Sequence, residues 1–434
     1  GYSLRYPGIA LVLLLLFTIS QAGCVPTSPQ LLSEVEISIP AQSDWVDYGT
    51  IFSQGDEGEW DYYLYGGFTN TVVKKDGVFY LYYQGASDYR TTFDETVLWR
   101  AIGVATSPDG MNFTKYDGNP IITWFPNEEG EEGAVSGGVT LNEDGEFILY
   151  YGANTALNST TVNADGRLAV SQDGLMFTDQ GVVLDHRDVS VWGFGDELFP
   201  IMTIQNQGEW LVYYIPNGSP QSGNLGLAKG GILDHLSESY RVRSGMSSVP
   251  VWGTGGSAKV GEDIYALFLN NVRENKVEIR LMSLTAPQQL SSPVVTYQFD
   301  EVRQATIWLD EEKRTWFMFY RGEEEYGVKL APFGDPDTTP PTAPEEVLLT
   351  SWNDERVDLT WKPAIDEDTG IAVYRIYLDD GLVDEVKGLN FANDNAIGLS
   401  APRYEVSAVN YHGVEGPRSK INIQLVDFLP LLVR

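Results

Sequence analysis

Short runs in which aromatic and β-branched residues alternate with polar ones fill most of this chain, as half-buried strands require. The runs are organised into a cassette: a lead of small or polar residues, an alternating strand, a tight turn and a strongly aromatic strand. Its copies are GGFTNTVVKKDGVFYLYYQG (Gly66–Gly85), VSGGVTLNEDGEFILYYGA (Val135–Ala153), ELFPIMTIQNQGEWLVYYIPN (Glu197–Asn217), WGTGGSAKVGEDIYALFLNN (Trp252–Asn271) and VRQATIWLDEEKRTWFMFYRG (Val302–Gly322). Asp76-Gly77 and Asp144-Gly145 are strong hairpin-turn signals, and Gln207-Gly208 and Glu262-Asp263 fall at the equivalent place.

A third strand follows each hairpin: AIGVATS, RLAVSQ, NLGLAKG, VEIRLMS and YGVKLAP. In the first two copies it turns through Ser-Pro-Asp-Gly or Ser-Gln-Asp-Gly into a short fourth strand, so that AIGVATSPDGMNFTKY (Ala101–Tyr116) returns as RLAVSQDGLMFTDQ (Arg167–Gln180). Five antiparallel units of three or four strands describe an all-β chain, a five-bladed β-propeller over residues 44–334. A β-sandwich does not explain the repeated cassette. The pattern changes at the Pro-rich stretch 335–344, which reads as a semi-rigid linker. Residues 345–427 then show short strands around Trp361, Tyr374 and Tyr404, with 428–434 as an apolar tail.

Charge narrows the partners. The 434 residues carry 61 acidic against 28 basic side chains, a formal net charge of −33, which repels phosphate backbones and anionic lipid surfaces and argues against nucleic acid. The apolar run Ile9–Ile19, preceded by Arg5 and followed by small residues, reads as an export signal over residues 1–23. Ala22-Gly23-Cys24 resembles a bacterial lipobox, which implies lipidation at Cys24, a tether over 24–43 and an extracellular or cell-surface location. Simple secretion and a retained apolar anchor are the alternatives, and membrane contact is expected only through that anchor. Cys24 is the only cysteine, so intrachain disulfides and thiol chemistry drop out.

In a propeller the first strand of each blade lines a central channel whose mouth is the default ligand site. The leads of those strands bring Asp61 and Asn70, Glu132, Asp196 and Glu197, Trp252, and Arg303 toward it. The acidic leads are candidates for paired carboxyls, the arrangement that general acid and base work needs. The ordinary alternatives stay open: Asp61 as a surface acid beside a packing Trp60, Glu132 as part of an exposed acidic loop, Arg303 as the partner of Glu301.

The cassette, IGVATSPDGMNFTKYDGNPII above all, resembles the five-bladed propellers of the arabinanase, levansucrase and invertase superfamily, which includes glycoside hydrolase families 32, 43, 117 and 130. That resemblance implies an enzyme acting on carbohydrate. It assigns the general acid to Glu197 in DELFPIM with Asp196 as rival, and other carboxyl roles to Asp61 and Glu132. It also offers His186 as a channel contact beside Asn70, Trp252 and Arg303. The expected Asp-Pro is replaced by Thr69-Asn70 in the first copy, and the second copy also lacks it. No cofactor is implied, although a calcium ion in the channel is compatible with the resemblance. Residues 345–427 resemble a fibronectin type III domain, implying a spacer or a surface for assembly. A non-catalytic glycan-binding or structural surface protein is the alternative function.

Overall fold

The computed structural model describes residues 28–64, 70–90, 96–123, 135–154, 164–186, 197–217, 224–231, 236, 238–251, 253–271, 274–352, 356–394 and 403–421. Among the described residues the chain is all-β apart from a short helix α1 (Ser28–Ser33) and one 3-10 turn at Gln42–Asp44. A strand β1 (Val46–Ser53) precedes the cassettes. The first unit contains β2 (Tyr63–Leu64), β3 (Asn70–Lys75), β4 (Val78–Arg90), β5 (Thr96–Ser107) and β6 (Thr114–Lys115). The second contains β7 (Val135–Leu141), β8 (Phe147–Asn154), β9 (Ala164–Ser171) and β10 (Thr178–Leu184). The third contains β11 (Glu197–Asn206), β12 (Glu209–Asn217), β13 (Gly226–Gly230) and β14 (Glu238–Arg241). A small hairpin, β15 (Arg243–Ser244) and β16 (Ser247–Ser248), leads to the fourth unit of β17 (Gly253–Lys259), β18 (Ile264–Asn271), β19 (Lys276–Ser283) and β20 (Val295–Tyr297). The last unit is β21 (Gln304–Asp310), β22 (Thr315–Arg321) and β23 (Glu325–Pro332), and β1 completes its sheet by pairing with β23.

The first strands meet in sequence order: β3 touches β7, β7 touches β11, β11 touches β17, β17 touches β21, and β21 returns to β3. This propeller-like ring explains the aromatic second strands. Consecutive residues of a strand point to opposite faces, so each tyrosine pair serves two neighbours. Tyr82 enters the core between the first and second units while Tyr83 enters that between the fifth and first. Tyr150 and Tyr151 divide in the same way, as do Tyr213 and Tyr214. All six rings are essentially buried, and full burial of a large apolar side chain contributes about 1.5–3 kcal/mol of transfer free energy.

Glycines set how closely the strands approach. A Cβ on Gly138 in β7 would lie 2.7 Å from the Ile201 carbonyl oxygen of β11. The repeated Asp-Gly turns share one hydrogen-bond scheme. The amides of Gly110 and Gly174 donate to Ser107 Oγ and Ser171 Oγ at 2.9 Å, and both glycines have positive φ, at 75° and 74°.

The segment read as a tether is in its described part a docked strap. Leu31 is buried with Phe268 and Trp316, the Glu36 amide donates to the Val260 carbonyl at 2.7 Å, and Tyr297 Oη donates to the Pro40 carbonyl at 2.6 Å. Apolar Leu31, Val35, Ile37 and Ile39 drive this docking.

Beyond the ring, β24 (Glu345–Trp352), β25 (Val357–Lys362) and β28 (Asn390–Asn393) form one sheet. A second sheet has the order β27 (Gly381–Val386), β26 (Ile371–Leu378), β29 (Tyr404–Asn410), β30 (Ser419–Lys420). Trp361 of the first sheet packs on Tyr374 of the second with ring centroids 5.5 Å apart. The Pro-rich stretch is pinned as well as stiff: the Asp337 carboxylate is buried and accepts from Thr369 Oγ1 and Asn410 Nδ2, both at 2.9 Å.

Candidate active site

The strands that begin the five units all start at one end of the ring, and four proposed site residues sit at or beside those starts. Asn70 opens β3 opposite Tyr83, Glu197 opens β11 opposite Asn217, and Arg303 immediately precedes β21. His186 follows β10 and is tied to the start of β9. Cys24, Glu132, Asp196 and Trp252 lie outside the described residues, and Asn70 and Glu197 are placed by their backbones.

His186 is held by a residue the sequence reading passed over. Asp165 Oδ1 accepts the His186 backbone N–H at 2.9 Å and stands 2.7 Å from its Nδ1. A carboxylate can only accept, so Nδ1 carries the proton and Nε2 is left for another partner. Asp185 Oδ1 lies 3.7 Å from the same Nδ1. Among the described residues, one parallel bridge between units two and three pairs Ala164 with Glu197. This bridge sets the first residue of β11 beside the Asp165–His186 pair. Asp165 stands in NADG and Asp185 in LDHRD; the only available signal was an acid beside each predicted strand end.

Asp61 is not a channel residue. It is 2% exposed, and its Oδ2 accepts from Tyr83 Oη at 3.0 Å and from Lys115 Nζ at 2.7 Å. Trp60 beside it lies over the glycines of β4 and β5, where a Cβ on Gly85 or Gly103 would come within 2.5 Å of the indole. The Asp61 side chain therefore faces the core between the fifth and first units, where burial without a cation would be costly; burial, with Asp61 alongside, pushes the Tyr83 phenol far above its ordinary range. Arg303 also differs from expectation: it pairs with exposed Glu323 at 2.9 Å, while Glu301 goes to Lys329. At the same end of the ring, Arg321 Nη1 donates to the Leu64 carbonyl at 3.2 Å, bridging the last unit to the first.

Between the first strands runs a cavity of about 210 Å³, lined by Thr71, Val73, Val139, Thr203, Ser257 and Thr306 among others. Thr71 Oγ1 accepts the Val139 amide at 3.3 Å, tying unit one to unit two. Thr203 Oγ1 and Thr306 Oγ1 are buried without a partner among the described residues, and the cavity they line has room for water. The wall offers hydroxyls and no carboxylate among its described residues, a poor fit to calcium, which takes six to eight oxygens and usually several carboxylates. The described residues with clustered ligand atoms are Asp165, Asp185 and His186, within 4.8 Å of one another. Ligation through Nδ1 there would require breaking the Asp165 bond.

Residues 69–224 match the sequence model of the Glycosyl hydrolases family 32 N-terminal domain. That segment covers β3 through β12 and includes both Glu197 and the Asp165–His186 pair. The match supports an enzyme of the glycosidase class. Among solved structures, the chain is similar to β-1,2-mannobiose phosphorylase from Listeria innocua, at 15% identity and TM-score 0.45, covering 68% of this chain and 94% of that one. It is also similar to the α-L-arabinofuranosidase PaAbf62A from Podospora anserina, at 12% identity and TM-score 0.45, covering 68% and 97%. A glycosyl hydrolase from Bacteroides ovatus gives 12% identity and TM-score 0.44, covering 65% and 91%.

Proposed function

We propose that this protein is a cell-surface glycoside hydrolase built on a five-bladed propeller with a fibronectin type III module behind it. Its substrate is an extracellular polysaccharide or oligosaccharide. The observation that carries the reading is the Ala164–Glu197 bridge, inside the segment that matches the glycosyl hydrolase domain. It sets the backbone of Glu197 opposite Ala164, next to the Asp165 that fixes His186, and so supports pairing a glutamate with an oriented imidazole in the site.

In this reading Glu197 protonates the glycosidic oxygen as the bond to carbon breaks. A second carboxyl, from Glu132 or Asp196, activates water or attacks the anomeric carbon, the two groups standing about 5–10 Å apart as either stereochemical course requires. His186, fixed through Nδ1 by Asp165, presents Nε2 to a sugar hydroxyl. Arg303 and Arg321 supply donors from the last unit. Asp61, neutralised by Lys115, takes no part.

Screening plant, algal and bacterial glycans for released reducing sugar, with wild type and Glu197→Gln, tests this. The variant should keep its melting temperature and lose about 10²–10⁴-fold in kcat/KM. Undiminished turnover would remove Glu197 from the mechanism. The surface location rests on Cys24 as the lipidated residue; Cys24→Ser should move the protein from the membrane to the soluble fraction, and continued membrane association would overturn it.

A further inference from the structure

A crevice of about 560 Å³ separates the ring from the C-terminal sandwich, on the side of the molecule served by the turns and by β27, away from the Glu197 end. Its size is that of a small-ligand site, and junctions between domains are favoured places for such sites. Hydrogen bonds between the ring and the sandwich fix the two walls relative to each other. Tyr411 Oη donates to the Asp109 carbonyl at 2.5 Å, Asn112 Nδ2 to the Lys387 carbonyl at 3.2 Å, and Arg314 grips the Asp368 carboxylate with its two terminal nitrogens at 2.8 and 3.0 Å.

The charge of the crevice runs against that of the protein. Three of the chain's eleven lysines, Lys74, Lys313 and Lys387, line it, in a molecule of net charge −33. The two lining carboxylates are already engaged. Asp310 pairs with Lys74 at 2.6 Å, and Asp109 accepts the Met111 and Asn112 amides at 2.8 Å. Lys313 and Lys387 instead donate only to carbonyl oxygens, of Asp368 at 3.3 Å and Thr50 at 2.6 Å. Among the lining residues three lysines stand against two carboxylates, so the crevice carries a net positive charge, beside the exposed apolar side chains of Pro108, Pro363 and Leu389.

We propose that this crevice binds an acidic saccharide, its carboxylate or sulfate between Lys313 and Lys387 and its apolar ring faces against Pro108, Pro363 and Leu389. The anion follows from the two ammonium groups, and the sugar rests on the function proposed above.

Calorimetric titration of the full chain with trigalacturonate and with a κ-carrageenan tetrasaccharide separates carboxylate from sulfate, with xylotriose as the neutral control. One of the two acidic sugars should bind saturably, and Lys313→Gln with Lys387→Gln should weaken it about tenfold or more. Lys313→Gln alone, at a half-exposed position, gives a weaker loss without touching the Thr50 contact. Glu197→Gln should bind unchanged, so a failure of the catalytic reading and a failure of this one give different results. Absence of acidic-sugar binding, equal binding of xylotriose, or full affinity in the double lysine variant would each overturn the proposal.

Discussion

At the scale of single residues, two histidines are fixed in opposite tautomers by their partners. His186 Nδ1 faces the Asp165 carboxylate at 2.7 Å and must donate, whereas His412 Nδ1 accepts the Asp337 amide at 2.8 Å and must be bare, leaving Nε2–H for the Arg314 carbonyl. The chain has only three histidines, so a nitrogen-15 spectrum recorded where the rings are neutral resolves them. It should show one Nδ1–H and one Nε2–H ring. Asp165→Ala should collapse the first signature toward the Nε2–H form, leave the second in place, and lower kcat by about 10²-fold through loss of alignment. An unchanged His186 tautomer in that variant would remove Asp165 from its positioning role. The same pair shows where sequence reasoning stops. His186 stood out through the family resemblance, but Asp165 is one of 61 acids and gains meaning only when β10 returns beside β9. Asp61 failed for the converse reason: an acid next to a strand lead looks the same in sequence whether it faces the channel or, as here, Tyr83 and Lys115.

At the scale of elements, the hairpins and third strands were legible because period-two alternation and Asp-Gly turns are local signals. The strand that completes the last sheet was not. VDYGTIFS, as β1, pairs with β23 some 280 residues later, and nothing in its own pattern names that partner. The twin Asp-Gly turns were read as architecture, and the structure adds what they touch: Tyr82 Oη donates to the Gly174 carbonyl and Tyr411 Oη to that of Asp109. Each turn thus receives a tyrosine from the neighbouring layer. The glycine pair in VSGGVTL likewise has a steric cause. With Ile201 O 2.7 Å from where a Gly138 Cβ would stand and the backbone of Met202 next to it, the contact is with main chain that no rotamer change can move. Gly138→Ala should force β7 and β11 apart and cost about 1–3 kcal/mol, read as a fall in the urea midpoint. Because the same displacement shifts the Ala164–Glu197 bridge, activity should fall with it; a variant of native stability would show that the two strands are free to separate.

At the scale of the whole molecule, the ring and the sandwich share a core. Tyr411 and Ala372 are buried together with Phe79, Phe317 and Phe319 of the ring. Tyr411 packs edge-on against Phe317 with centroids 5.4 Å apart, and burial, with Asp109 and Asp310 adding to it, drives its phenol far above the ordinary range. A junction made of a docked linker, an aromatic plug and the Arg314–Asp368 pair behaves as continuous structure, so the two parts should unfold together. The plug outweighs the ion pair, which is partly exposed and worth little by itself. Truncation by Tyr411→Ala removes a large buried ring and strands the Asp109 carbonyl, a loss of about 3–5 kcal/mol. Its location decides the outcome. The sandwich retains its own core around Trp361 and Tyr404, and the ring retains its inter-unit cores, so the loss falls on the coupling. Scanning calorimetry of the wild type should show one transition, and that of Tyr411→Ala two, while Arg314→Gln should keep one with a small downward shift. A single unshifted transition in the tyrosine variant would mean that the sandwich is only tethered to the ring, and the rigid crevice between them would lose its foundation as well.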